Sequence, residues 1–227
     1  MTPQMLSGKR ALITHAHAFM GPVLCDVFAR HGAIVIPNSD QSLSADTIAS
    51  ILADAGDIDI LVANLSIPAP TTAAIEVSDD EWSDVFGSLV HPLQRLCRAV
   101  LPGMIERRTG KILVMGSASA LRGMKRASTY SAARGAQLAY VQALGVEMAP
   151  HNIQVNAIAQ NFVDNPTYFP PEVQSNPRFQ ERLKREVPLG RLVSAGEDAA
   201  FAAYLCSDMA NCFVGQVFPV SGGWVAR

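Results

Sequence analysis

Six short apolar runs constrain this chain more than any other feature. Residues 10–14, 33–36, 58–63, 111–115, 153–157 and 215–220 are largely apolar at successive positions rather than alternately polar and apolar. Strands of that kind are buried on both faces. Between them lie segments with helical spacing: 22–30, stopped by His31-Gly32; 45–55; 79–107, opened by Ser78-Asp79-Asp80; 128–149; and 197–207. Alternating strand and helix predicts an α/β fold, a doubly wound parallel sheet with helices on both faces. No linker or internal repeat divides residues 1–227, so one domain is expected. A Pro- and Asn-rich stretch at 160–185 reads as an insertion.

The 227 residues suffice for a sizeable core. Hydrophobic content of 49% with 17% charge excludes a disordered chain. A net charge of −2 offers nucleic acid or an acidic membrane no electrostatic partner. No apolar run approaches the ~18 residues of a membrane span. Cys25, Cys97, Cys206 and Cys212 lack metal or disulfide spacing and are expected to be buried free thiols. A cytoplasmic protein that binds neither nucleic acid nor membrane is the expectation.

Ligands of parallel sheets bind beyond the carboxyl ends of the strands. Thr14, Asn64, Ser117 and Asn161 fall at such ends. Ser117 is followed thirteen residues later by Tyr130, and Arg134 lies one helical turn further on. A phenol has a pKa of about 10. A guanidinium at roughly 6 Å, with an effective dielectric of about 20, attracts a phenolate by roughly 2.8 kcal/mol. That lowers the pKa by about two units, which makes Tyr130 a usable general base. Arginine suits the task because it keeps its proton. Ser117 is then the donor that fixes a substrate oxygen against Tyr130.

Together with Val62-Ala63-Asn64, Val155-Asn156-Ala157-Ile158, Gly215-Gln216 and Ser221-Gly222-Gly223, these residues make the chain resemble the short-chain dehydrogenase/reductase superfamily over nearly its full length. The resemblance implies a Rossmann-like fold. The superfamily's first turn, Thr-Gly-x-x-x-Gly-x-Gly, lets the backbone touch a pyrophosphate at a helix N-terminus. Here His15 and Phe19 replace two of its three glycines. Besides 58–63, no further strand is evident between 36 and 64 to border an adenine, and Asp40 is the nearest acid to a ribose site. The usual lysine four residues after the tyrosine is Arg134.

These departures resemble the halohydrin dehalogenases, a branch of the superfamily without a redox cofactor. Their signatures Thr-x4-Phe/Tyr-x-Gly and Ser-x12-Tyr-x3-Arg match Thr14, Phe19 and Gly21, and Ser117, Tyr130 and Arg134. The stretches 61–64, 90–93 and 188–192 look closest to the B- and D-like subgroups. The resemblance implies reversible closure of vicinal haloalcohols to epoxides with loss of halide. It also implies epoxide opening by azide, cyanide, nitrite or halide, with no cofactor and no metal. Ser117, Tyr130 and Arg134 would be catalytic. Phe19, Asn161, Phe162 and Val163 would form the halide site, with loop N–H groups at 160–163 as donors, and Tyr168 and Phe169 would line the substrate side.

A homotetramer is the further implication. It would use the helices around the stripes Leu89, Leu93, Leu96, Val100 and Leu138, Val141, Leu144, which could equally face the core. Trp82 and Trp224 are expected in packing or interfaces, and whether Trp224 reaches a neighbouring subunit's site is left open by the sequence. Two other readings stand beside this one. One is an NAD(P)-dependent oxidoreductase with a deviant cofactor loop. The other is a catalytically silent subunit that keeps only the fold.

Overall fold

A computed structural model describes residues 4–226. Six strands form one parallel sheet: β1 (Arg10–Ile13), β2 (Ile34–Pro37), β3 (Ile60–Ala63), β4 (Gly110–Ser117), β5 (Ile153–Gln160) and β6 (Val217–Val220). Their order across the sheet is β2-β1-β3-β4-β5-β6. The longest pairing runs from Gly110 opposite Ile153 to Ser117 opposite Gln160. β2 is an edge, and Ile34 on it is half exposed. No strand lies outside it among the described residues, in line with the lack of a further strand between 36 and 58 in the sequence.

Helix α1 (Gly21–Arg30) packs on one face of the sheet, and α2 (Ala45–Ala55), α3 (Asp79–Leu89) and α4 (His91–Arg107) cover the other. After β4 come the short α5 (Ser119–Arg122) and the long α6 (Ser128–Met148). α7 (Pro171–Gln174) and α8 (Pro177–Glu186) follow β5, and α9 (Ala195–Leu205) packs beside α1. Two apolar cores result, one per face. Helix starts follow their caps. Ser44 and Ser78 accept from Thr47 and Glu81 backbone N–H groups, and Ser194 forms a reciprocal capping box with Glu197.

The single helix expected over 79–107 is two helices, divided at Val90. Pro92 has no N–H to continue the ladder and falls in the first turn of α4, where none is needed. Inside the 160–185 insertion, α7 and α8 were hidden by its prolines, which sit at helix starts. The stripes Leu89, Leu93, Leu96, Val100, Leu138, Val141 and Leu144 are all buried within the chain itself. They are core, not an open interface. Of the cysteines, Cys97 and Cys206 are buried, Cys25 is half-buried and Cys212 is exposed, so the expectation of buried thiols fails for Cys212. No described helix is long and apolar enough to cross a membrane.

Candidate active site

The carboxyl ends of β1, β3, β4 and β5 open into a cavity of about 320 Å³. The nine residues expected to be catalytic or to form the halide and substrate sides all line it: Phe19, Ser117, Tyr130, Arg134, Asn161, Phe162, Val163, Tyr168 and Phe169; Thr14 and Asn64, also expected at strand ends, do not. Ser117 closes β4; its Oγ lies 2.9 Å from Ser119 Oγ and accepts from the Ser119 N–H. Tyr130 sits in the first turn of α6 and is 6% exposed. The positive end of a helix favours an anion there.

Arg134 is 2% exposed, with its guanidinium carbon 5.0 Å from the Tyr130 ring centre. It donates to Leu65 O at 2.9 Å, Met115 O at 3.1 Å, Gln137 Oε1 at 2.9 Å and Ser66 Oγ at 3.3 Å. No carboxylate pairs with it among the described residues. Burial raises the Tyr130 pKa. The Arg134 charge and the Tyr168, Arg134 and Ser117 groups facing the phenol outweigh that burial and bring it below the usual value. Tyr168 goes the other way. Burial and the Tyr130 phenol push its own pKa up, and its hydroxyl donates to Ile67 O at 2.6 Å. The two phenols are therefore shifted in opposite directions.

The first turn keeps left-handed backbone at two positions where its glycines are replaced. His15 and Phe19 adopt φ of 46° and 52°, a left-handed conformation costly for residues with a β-carbon. Asn64 holds the loop by donating to His15 O and Ala18 O, and its own N–H donates to Thr14 Oγ1. A β-carbon at Gly21 would lie 2.2 Å from His15 O, so this glycine is required. The Phe19 ring meets Tyr168 at 5.8 Å between centres. A third strained residue, Phe162 with φ of 52°, packs against Phe169 at 6.0 Å and edge-on to Trp224 at 6.2 Å. Trp224 thus meets its own chain's cavity wall. Trp82 is half exposed and stacks on Phe86.

One detail of the expected anion loop needs correction. The Asn161 N–H already donates to Val220 O, and the Phe162 N–H to Asn161 Oδ1. The loop holds itself with two of the donors assigned to a halide.

Sequence reasoning missed Ser66, Thr71, Met124, Asn165 and Arg182 on the cavity wall. Ser66 follows β3 closely and could have been found by the strand-end rule. Arg182 sits on α8, over the Phe162 ring at 5.4 Å, with no local signal. The wall carries two arginines, Arg134 and Arg182, and no Asp or Glu. Among the described residues no three His, Cys, Asp or Glu side chains are grouped to hold a metal.

Comparison with known proteins agrees with this architecture. The family model described as Enoyl-(Acyl carrier protein) reductase matches residues 29–225. A 3-oxoacyl-(acyl-carrier-protein) reductase of Pseudomonas aeruginosa is 32% identical, over 96% of this chain and 98% of that protein. A solved structure described as a dehalogenation enzyme superposes with a TM-score of 0.91 at 30% identity, covering 97% of this chain and 100% of that one. A halohydrin dehalogenase bound to ethyl (2S)-oxiran-2-ylacetate superposes with a TM-score of 0.89 at 27% identity, covering 96% of this chain and 99% of that one. On the match of family model, sequence and fold, the chain belongs to the short-chain dehydrogenase/reductase superfamily.

Proposed function

We propose that this protein is a halohydrin dehalogenase, a carbon–halide lyase without a redox cofactor. The observation that carries the reading is the buried Arg134, which faces a phenol and no carboxylate. A buried cation needs a compensating anion, and an ionised Tyr130 is the group placed to supply it. The phenolate takes the hydroxyl proton of a vicinal haloalcohol. The oxygen, held by Ser117, forms a bond to the neighbouring carbon as that carbon's bond to halogen breaks. An epoxide and a halide result. In reverse, Tyr130 protonates the oxygen of an epoxide opened by halide, azide, cyanide or nitrite. Phe19, Asn161, Phe162, Val163, Tyr168 and Phe169 shape the halide and substrate sides, with a wall free of carboxylates to repel the anion.

The side chains of the first turn do not fit the dinucleotide of the superfamily's reductases. Phe19 lines the cavity, where a glycine would let the backbone approach a pyrophosphate. We extend the proposal to a homotetramer, on family likeness, and to a cytoplasmic setting. Chloride release from 1,3-dichloro-2-propanol, lost in Tyr130→Phe, tests the activity. Light scattering tests the assembly.

The 32% identity to a reductase favours a second reading, an NAD(P)-dependent oxidoreductase with an altered loop. Fluorescence titration with NADH separates the two. Saturable micromolar binding together with no chloride release would establish the second.

A further inference from the structure

Asp198 is a buried carboxyl that the proposed mechanism leaves unused. It is 1% exposed, in the first turn of α9, one residue past the capping-box Glu197. Its Oδ2 accepts from Gln160 Nε2 at 2.6 Å, and its Oδ1 has no partner. Gln160 is the last residue of β5, directly opposite Ser117 in the register, and its carbonyl holds the Ala118 N–H at 2.9 Å. It lines the cavity immediately before the loop of Asn161, Phe162 and Val163. One amide thus connects the cavity to a buried acid.

An amide has donors at one end and an acceptor at the other. An ionised Asp198 accepts only, so it takes the NH₂ end and leaves the carbonyl end for the cavity. A protonated Asp198 donates to the carbonyl end and frees the NH₂ end for a cavity anion. Building on the halohydrin dehalogenase reading, we propose that Gln160 and Asp198 are a positioning pair that sets how firmly the cavity holds a small anion. The hold is firm while Asp198 is protonated and weak once it ionises. The carboxylate's negative charge acts in the same direction.

Burial pushes the Asp198 pKa up to about 7, with the Gln160 bond opposing, so the change falls near neutrality. Other charges around α9 are occupied elsewhere. On α9 and its approach, Glu197 pairs with Arg191. On α1, Asp26 pairs with Arg30, and Cys25 is a thiol held above its usual pKa by burial. Asp164, after the loop, accepts from Gln174. β5 and β6 carry no titratable side chain. His15 and His17 lie on the first turn; His15, its pKa lowered by burial and by His17, contributes equally to any pair of variants compared at one pH.

The test is chloride affinity as a function of pH, read from quenching of Trp224 beside Phe162. It is made on a Tyr130→Phe background so that the phenol does not titrate. The expected result is roughly tenfold tighter binding at pH 6 than at pH 8.5. Asp198→Asn and Gln160→Leu should each flatten that slope, and Asp198→Glu should restore it. A slope unchanged in Asp198→Asn overturns the pair, as does a flat slope in the background protein that still binds chloride. Either result leaves the dehalogenase reading intact if the unmodified protein releases chloride from 1,3-dichloro-2-propanol. No chloride binding at any pH, with no chloride release, removes that reading and the pair with it.

Discussion

At the scale of single residues, the site depends on how Arg134 is held. Four oxygens, from Leu65, Met115, Gln137 and Ser66, fix the guanidinium without neutralising it. The charge is left for the phenol one turn earlier. Tyr130→Phe should therefore lower halide release by about 10²–10⁴-fold, the range for losing a general base, with the fold unchanged by circular dichroism. Arg134→Lys should retain less activity and move the acid limb of the pH–rate profile upward. The lysine has a shorter reach to the same oxygens and can lose its own proton. An acid limb at the wild-type position would contradict the role given to Arg134. Tyr130 and Arg134 were legible because helical periodicity fixes which side chains share a face, and Ser117 because it ends an apolar strand. The oxygens around Arg134 were not, since Leu65 lies 69 residues away and the contact exists only once β3 and β4 pair.

At the scale of elements, close approach fixes the site's frame. α6 lies so near the start of β6 that a β-carbon at Gly145 would come within 2.4 Å of Gly215 N. Gly145→Ala should lower stability by about 1–3 kcal/mol, the usual cost of overpacking, although alanine favours helix. Urea denaturation would check it, and a neutral or stabilising outcome would show that α6 can shift. The strands were readable from their apolar runs, and Asn161 was correctly placed just past β5. The insertion was not readable as structure, because α7 and α8 begin at prolines within polar sequence. Asp198 was equally silent. Nothing local in α9 says that its fourth residue points into a core or meets the end of β5.

At the scale of the whole molecule, the same acid shapes stability against pH. Its folded pKa, about 7, lies above the usual carboxyl value of 3.8. A raised pKa favours the folded state fully below the unfolded value and loses that contribution as pH rises through the folded one. The loss falls between about pH 4 and pH 7 and amounts to a few kcal/mol, on the order of magnitude. Asp198→Asn should therefore raise the melting temperature by several degrees at pH 8, with the gap closing near pH 4. Thermal melts at both pH values would check it; an equal gap at pH 4 and pH 8 would mean that the carboxyl titrates normally.

β2 carries a further consequence for handling the protein. Its outer backbone amides and carbonyls have no neighbouring strand among the described residues, and Pro37 removes only one of the donors. Such a rim can recruit an extended peptide from another molecule. Concentrated samples should thus stick together along this seam first, and a lysine at Ile34 is the simplest way to keep them apart.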